Sequence, residues 1–287
     1  MAKIRIGTCS WKYDSWRGLV YRDQAKKNYL QEYSELYDTV EIDQWFWSLF
    51  GTGKVSLPLA HDVNAYTNSV PDDFKFTIKV PNSITLTHYY RKAKSDPLKE
   101  NPYFLSQELF TTFLNSIKPM YSKIGLLMFQ FEYLNKQKMS SLTEFVQKFS
   151  EFINHCSPDY TYGIEIRNPQ YLTREYFEFL NHYHMGHVFL HGYFMPDIVE
   201  VYQKNRSMIN TISAIRLHGP DRSGIEEKSK GNWDKIYEPK DDELSRITKI
   251  IQEIHSRNLD VYVNVNNHYE GSAPLTIEKI RKVLFPG

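Results

Sequence analysis

The chain has 287 residues, 41% hydrophobic and 24% charged, a composition that supports a large buried core and excludes intrinsic disorder. Its 35 basic residues nearly cancel its 34 acidic ones, and a net charge of +1 supplies no overall field to draw in nucleic acid or an anionic membrane. Two cysteines, Cys9 and Cys156, cannot build a disulfide framework or a cysteine-rich zinc site, which fits a reducing compartment.

Residues 1–10 lack the apolar run of a signal peptide, and no stretch approaches the roughly 20 apolar residues of a membrane span. The expected location is therefore the cytoplasm, with no membrane partner. Aromatic residues reach 15%, among them 21 Tyr and 17 Phe, and many fall between the regular elements, where they can stack on a ligand as well as fill the core.

Along the chain, short β-branched or aromatic runs alternate with segments of helical period. The first strand is expected over 3–8, followed by a helical pattern over 28–36 in which Tyr29, Leu30, Tyr33 and Leu36 recur at intervals of three and four. Strands over 39–43 and 74–80 come next, then a helix over 108–117 and a fourth strand over 125–131. A helix over 142–153 leads to a strand over 162–167, and a helix over 176–180 to a strand over 186–191. The last two strands, 213–218 and 260–266, flank a helix over 244–254, and a helix over 276–284 closes the chain.

Eight strands with starts about 25 to 50 residues apart match eight βα units sharing the chain at about 36 residues each. Alternation of strand and helix requires parallel strands with right-handed crossovers. An open doubly wound sheet meets the same requirement, but the strand count and the lack of a Gly-rich dinucleotide turn favour one (β/α)8 barrel over residues 1–287. The connections 81–107, after the third strand, and 219–241, after the seventh, are long enough to be elaborated loops. The second carries Gly219, Pro220, Gly224 and Gly231 among charges, a composition suited to a lid.

In such a barrel the C-terminal tips of different strands converge on one pocket. In Val40-Glu41-Ile42-Asp43 and Ile164-Glu165-Ile166-Arg167 the polar residues share one side of each strand. With the apolar residues turned to the helices, Glu41, Asp43, Glu165, Arg167, Arg216 and His218 all point into the barrel mouth. Lys79, Arg167 and Arg216 are then candidates to hold an anionic group, and Glu41 and Glu165 to serve as acid and base, assisted by His218 and His88. Gln130, Asp43, Asn266 and Asn267 are candidates to orient the ligand, and Trp11 and Trp16 to stack on it. A structural ion-pair layer is the competing reading of the same charges.

No metal site is expected, since the basic residues compete for the carboxylates and no closely spaced histidine motif supports one; no cofactor is expected either. The histidine group His182, His184 and His187 falls at a helix-to-strand turn on the opposite face and reads as a surface turn.

The same strand ends carry a resemblance over nearly the whole chain. Gly7-Thr8-Cys9-Ser10-Trp11 with Trp16-Arg17-Gly18 and Tyr21 resembles the opening pattern of the YecE-like family of bacterial and archaeal proteins, domain of unknown function 72. The likeness continues through Val40-Glu41-Ile42, Pro71-Asp72-Asp73-Phe74-Lys75-Phe76, Lys79-Val80-Pro81 with Ile84-Thr85 and His88, and Gln130-Phe131. It runs on through Glu165-Ile166-Arg167, Arg216-Leu217-His218-Gly219 and Asn266-Asn267 with Gly271 and Ala273-Pro274. The resemblance implies a TIM-type barrel with a strand-end pocket and no established reaction. The chain departs from the family pattern at Asp43-Gln44-Trp45-Phe46-Trp47, at Glu132-Tyr133 and at Asn168-Pro169.

The expectation is therefore an enzyme of metal-independent acid–base chemistry on a small anionic partner: a sugar phosphate, a nucleotide-like compound or a carboxylate. A non-catalytic barrel binding a ligand or single-stranded nucleic acid is the alternative, and a metal-assisted hydrolase or isomerase the second. Oligomeric state has no signal in the sequence.

Overall fold

A computed structural model describes residues 2–22, 28–51, 53–91, 93 and 95–286. Eight parallel strands, β1 (Ile4–Thr8), β2 (Thr39–Ile42), β3 (Lys75–Lys79), β4 (Ile124–Phe131), β5 (Tyr162–Ile166), β6 (Gly186–His191), β7 (Ser213–Leu217) and β8 (Val261–Val265), form one sheet in the order β1-β8-β7-β6-β5-β4-β3-β2. Helices α1 (Tyr29–Ser34), α2 (Ala60–Asn68), α3 (Asn82–Thr85), α4 (Gln107–Ile117) and α5 (Leu142–Ile153) alternate with the first five strands. They are followed by α6 (Arg174–His182), α7 (Ile198–Asn205), α8 (Arg222–Ser229), α9 (Asp241–Ser256) and α10 (Ala273–Leu284). The result is a nearly closed (β/α)8 barrel of the TIM type. Among the described residues no helix is long and apolar enough to cross a membrane.

The helices form where apolar residues recur on one face. In α5, Phe145, Phe149, Phe152 and Ile153 are buried against β4 and its neighbours, and Ser141 caps the first turn by accepting from the Glu144 amide at 3.1 Å. Phe129 and Phe131 on β4 meet these rings edge-on, Phe129 with Phe149 at 5.2 Å and Phe131 with Phe145 at 4.9 Å. Much of the aromatic content is thus the helix–sheet core.

Every strand pairs with its neighbour except β1 with β2, where the sheet's two edges meet. There the Tyr33 hydroxyl accepts from the Thr8 amide at 2.9 Å and donates to the Thr39 carbonyl at 3.0 Å, standing in for a ladder bond. Arg5 adds a second clasp through Asp38, to its carbonyl at 3.0 Å and its carboxylate at 2.9 Å. Gly7 is required at this seam, because a Cβ would lie 2.0 Å from the Thr39 carbonyl oxygen and 2.9 Å from the Tyr33 hydroxyl.

Of the two long connections, 219–241 carries α8 and is anchored after that helix. The Trp233 amide donates to Ser15 Oγ at 3.1 Å, and the Tyr237 amide to the Glu270 carbonyl at 2.7 Å. The connection 81–107, described apart from 92 and 94, folds around buried Asn101, whose side-chain amide donates to the Ser83 and Leu86 carbonyls at 2.8 and 2.7 Å. The expected histidine turn is one only in part: His182 and His184 are exposed, but His187 is buried on β6 beside the Tyr176 hydroxyl at 3.1 Å. Burial pushes the His187 imidazole down to about 3.

Candidate active site

Side chains from strands that are not neighbours can meet only inside the barrel, and at the C-terminal ends they do. Arg216 on β7 lies at the centre. Its Nε and Nη2 grip both oxygens of Glu41, on β2, at 2.8 and 2.7 Å, while Nη1 bonds Glu165, on β5, and Gln130 Oε1, on β4, at 3.3 Å. Asn264 on β8 donates to Glu41 Oε2 at 3.1 Å and to Thr77 Oγ1 at 3.0 Å. Arg167 closes the circle, its Nε donating to Glu165 Oε1 at 2.9 Å. Glu41, Glu165 and Arg216 are 0%, 1% and 1% exposed, so these charges form a sealed floor rather than an open cradle.

Buried charges persist only when paired and hydrogen-bonded, and one guanidinium between two carboxylates leaves one negative charge to be balanced. Arg167, bonded to Glu165, supplies the balance, and Lys79 faces Glu41 at 3.8 Å. Burial drives the Glu165 carboxyl up, but Arg216, Arg167 and Lys79 together outweigh it and hold the group at about 2. Glu165 is therefore a fixed anion at neutral pH, not a proton donor. Arg216 is likewise a fixed cation, Glu165 and Glu41 more than offsetting the effect of burial on its guanidinium.

A second group of side chains stands above this floor. The register that pairs Glu41 with Thr77 and Ile42 with Ile78 brings Asp43 alongside Lys79. Burial raises the Asp43 carboxyl above its usual range, against the opposing pull of Lys79. Burial also lowers the Lys79 ammonium, reinforced by Arg216. The same two influences, burial and then Arg216, drive His218 well below its ordinary value and leave a neutral imidazole, with Nε2 3.7 Å from Cys9 Sγ. Cys9 is held as a thiol by burial and by the Glu41 charge.

Not every expected residue joins them. Trp11 and Trp16 are 1% and 0% exposed: Trp11 meets Tyr66 edge-on at 5.0 Å and Trp16 stacks on Tyr21 at 6.3 Å, so the expected ring platform is core packing at both positions. The large apolar area of an indole is stabilised more by burial under the first loop than by standing open at the mouth. His88 lies out on the loop after β3 with Thr87 Oγ1 at 3.0 Å, and its charged neighbours are Lys138, Glu100 and Glu132 rather than Lys79. Asn267 is 2% exposed and caps α10, accepting from the Ala273 amide at 2.9 Å. Asn266 is turned to His268, whose amide it accepts at 3.0 Å.

Other residues take the rim that the tryptophans were expected to fill. Trp47, Tyr90, Tyr133 and Phe194, on the loops after β2, β3, β4 and β6, are exposed, and Trp47 and Tyr90 lie 6.3 Å apart. Tyr193 spreads its ring under the Arg167 guanidinium at 4.1 Å and reaches within 5.7 Å of the His218 ring. It belongs to three successive left-handed residues, Gly192, Tyr193 and Phe194, with φ of 107°, 53° and 62°. For the two non-glycines such a backbone costs on the order of 1–3 kcal/mol each. Only Gly192 after a strand tip hinted at this turn. Among the described residues no group of three or more His, Cys, Asp or Glu is placed to hold a metal ion.

Comparison with known proteins agrees with this architecture. The model of the family described as "Protein of unknown function DUF72" matches residues 5–285. A DUF72 family protein from Enterococcus faecalis V583 superposes with a TM-score of 0.70 at 19% identity, covering 98% of this chain and 95% of that one. One from Thermotoga maritima MSB8 gives 0.65 at 21% identity, covering 98% of each. A sugar phosphate isomerase/epimerase from Parabacteroides distasonis ATCC 8503 gives 0.50 at 11% identity, covering 99% and 98%. At these identities the likeness is one of fold. No curated protein matches the sequence.

Proposed function

This chain belongs to the DUF72 family of proteins of unknown function, and on that footing we propose that it is an acid–base enzyme acting on a small anionic molecule at the strand ends. One observation carries the reading. Beside a floor whose charges satisfy one another, Lys79 and Arg167 have donors that no group among the described residues takes. Lys79 Nζ makes no hydrogen bond among the described residues, and Arg167 commits only Nε, to Glu165.

An anion held by Arg167, with the Lys79 amine beside it, lies next to Asp43 and His218. A carboxyl raised above its usual range and a neutral imidazole are the groups beside the ligand that can give and accept a proton. Glu41 and Glu165, whose four oxygens are all taken by Arg216 and Arg167, then act by fixing Arg216 and the field of the site. The reading needs no metal because those oxygens are already engaged. The shared fold with a sugar phosphate isomerase/epimerase is compatible with a phosphorylated sugar as ligand, together with carboxylates.

The test is a thermal-shift series with inorganic phosphate, sugar phosphates and small carboxylates on the parent protein and on Arg167→Gln. A ligand at 100 times its Kd stabilises by about 2.7 kcal/mol, and this gain is expected in the parent and lost in the variant. A gain equal in both proteins, or no gain with any anion, overturns the reading. The exposed Trp47 and Tyr90 rings favour the non-catalytic alternative, which would show as salt-sensitive binding of short oligonucleotides.

A further inference from the structure

Two lysines are buried among the described residues, Lys79 and Lys123, and their surroundings are opposite. Lys123 Nζ donates to the Thr67 carbonyl at 2.9 Å and the Val70 carbonyl at 2.7 Å, with Asp72 at 3.5 Å, as a buried ammonium should. Lys79 Nζ makes no hydrogen bond among the described residues. Its one ion pair there is Glu41 at 3.8 Å, with a carboxylate already gripped by Arg216. A ring face, Phe46 at 4.9 Å, lines another side. The side chain is 10% exposed and stands on the last residue of β3, at the C-terminal end of the barrel.

An ammonium left this way is costly for stability, and burial and Arg216 both favour its neutral amine. An amine held neutral by burial and by a neighbouring cation is a nucleophile toward carbonyl carbon. We propose that Lys79 forms an imine with the aldehyde or ketone group of a small anionic carbonyl compound, held through its anionic group by Arg167.

The step balances within the site. The amine lone pair attacks the carbonyl carbon, the C=O pair moves to oxygen, and a proton passes from nitrogen to that oxygen, giving a carbinolamine. Protonation of the hydroxyl and loss of one water then leaves a C=N bond whose nitrogen carries the positive charge. No oxidant or reductant enters. Asp43, alongside Lys79 on the neighbouring strand, is the group placed to carry the proton to the departing water.

This proposal rests on the reading of the mouth as an anion site, and the experiment separates the two. The parent protein, Lys79→Met and Lys79→Arg are incubated with dihydroxyacetone phosphate or pyruvate, reduced with cyanoborohydride and mapped by peptide mass spectrometry, with thermal shift measured in parallel. One adduct at Lys79 is expected, formed on the order of tenfold faster than on any exposed lysine. It is absent in both variants, while Lys79→Arg keeps the thermal shift. A thermal shift that disappears in Arg167→Gln, with Lys79 unmodified, overturns the imine and leaves the anion site standing. No adduct and no shift with either compound overturns both.

Discussion

The lower and upper halves of the barrel interior solve the same packing problem in opposite ways. Below, Leu126, Met128, Val188, Ala214 and Tyr262 form a small apolar cluster of their own, fitted so closely that a Cβ on Gly125 would lie 2.2 Å from the Tyr262 hydroxyl. Above, the corresponding volume is filled by Arg216, Glu41, Glu165, Gln130 and Asn264, every one of them hydrogen-bonded across the barrel. An apolar upper layer would satisfy the fold at least as well, since buried ion pairs seldom outperform hydrophobic replacements of like volume. The difference teaches that close packing can be met by either chemistry, and that the charges paired across the barrel are gathered at the strands' C-terminal ends.

The largest effect expected is at Arg216. Arg216→Met leaves two buried carboxylates without their partner and should cost about 3–5 kcal/mol in chemical denaturation. Adding Glu41→Leu and Glu165→Leu should restore most of that stability while abolishing any ligand-induced thermal shift. A triple variant that still responds to ligand would erase the functional distinction between the halves. Leu126→Ala in the lower half should cost about 3 kcal/mol by opening a cavity, with the ligand response unchanged relative to parent.

Acid should act on the two kinds of buried group in sequence. His187 and His218 are neutral when folded but take up a proton when unfolded below about pH 6.5, so the unfolded state gains as pH falls and stability drops. For His187 alone the loss between pH 6.5 and 5 is about 2 kcal/mol. Glu165 has the depressed carboxyl, and its contribution is complete above about pH 4.5 and lost as pH falls toward about 2. Denaturation midpoints of His187→Phe between pH 7 and 5 should fall less than those of the parent, and a parallel fall would contradict this account. The smallest effect is at the seam. Tyr33→Phe removes the partner of the Thr8 amide and the Thr39 carbonyl and should cost about 1–2 kcal/mol, with faster amide exchange at Thr8.

All eight strands were legible because their period-two pattern is short-range information. So was the α5 helix, whose four buried aromatic and aliphatic residues recur on one face. The α2 and α8 helices were not: only Val63 and Tyr66 are buried apolar residues in the one, and Ile225 in the other, too few to show a period. At the site, alternation identified which tips face inward. It carried no information on which inward charges pair, because Arg216 meets Glu41 across 175 residues and His218 meets Cys9 across 209. Nor can a local pattern tell a buried tryptophan from an exposed one, which is why Trp11 and Trp16 read as ligand-stacking rings and are core residues.

The unpaired edge between β1 and β2 gives the mouth a mechanical role. Glu41 belongs to β2, one rim of the gap, and is tied to Asn264 on β8, the strand that carries the other rim, and through Arg216 to β7. The charged floor is thus a buckle as well as a site. A molecule that drew Glu41 away from Arg216 would leave the seam to the Tyr33 and Arg5 clasps alone.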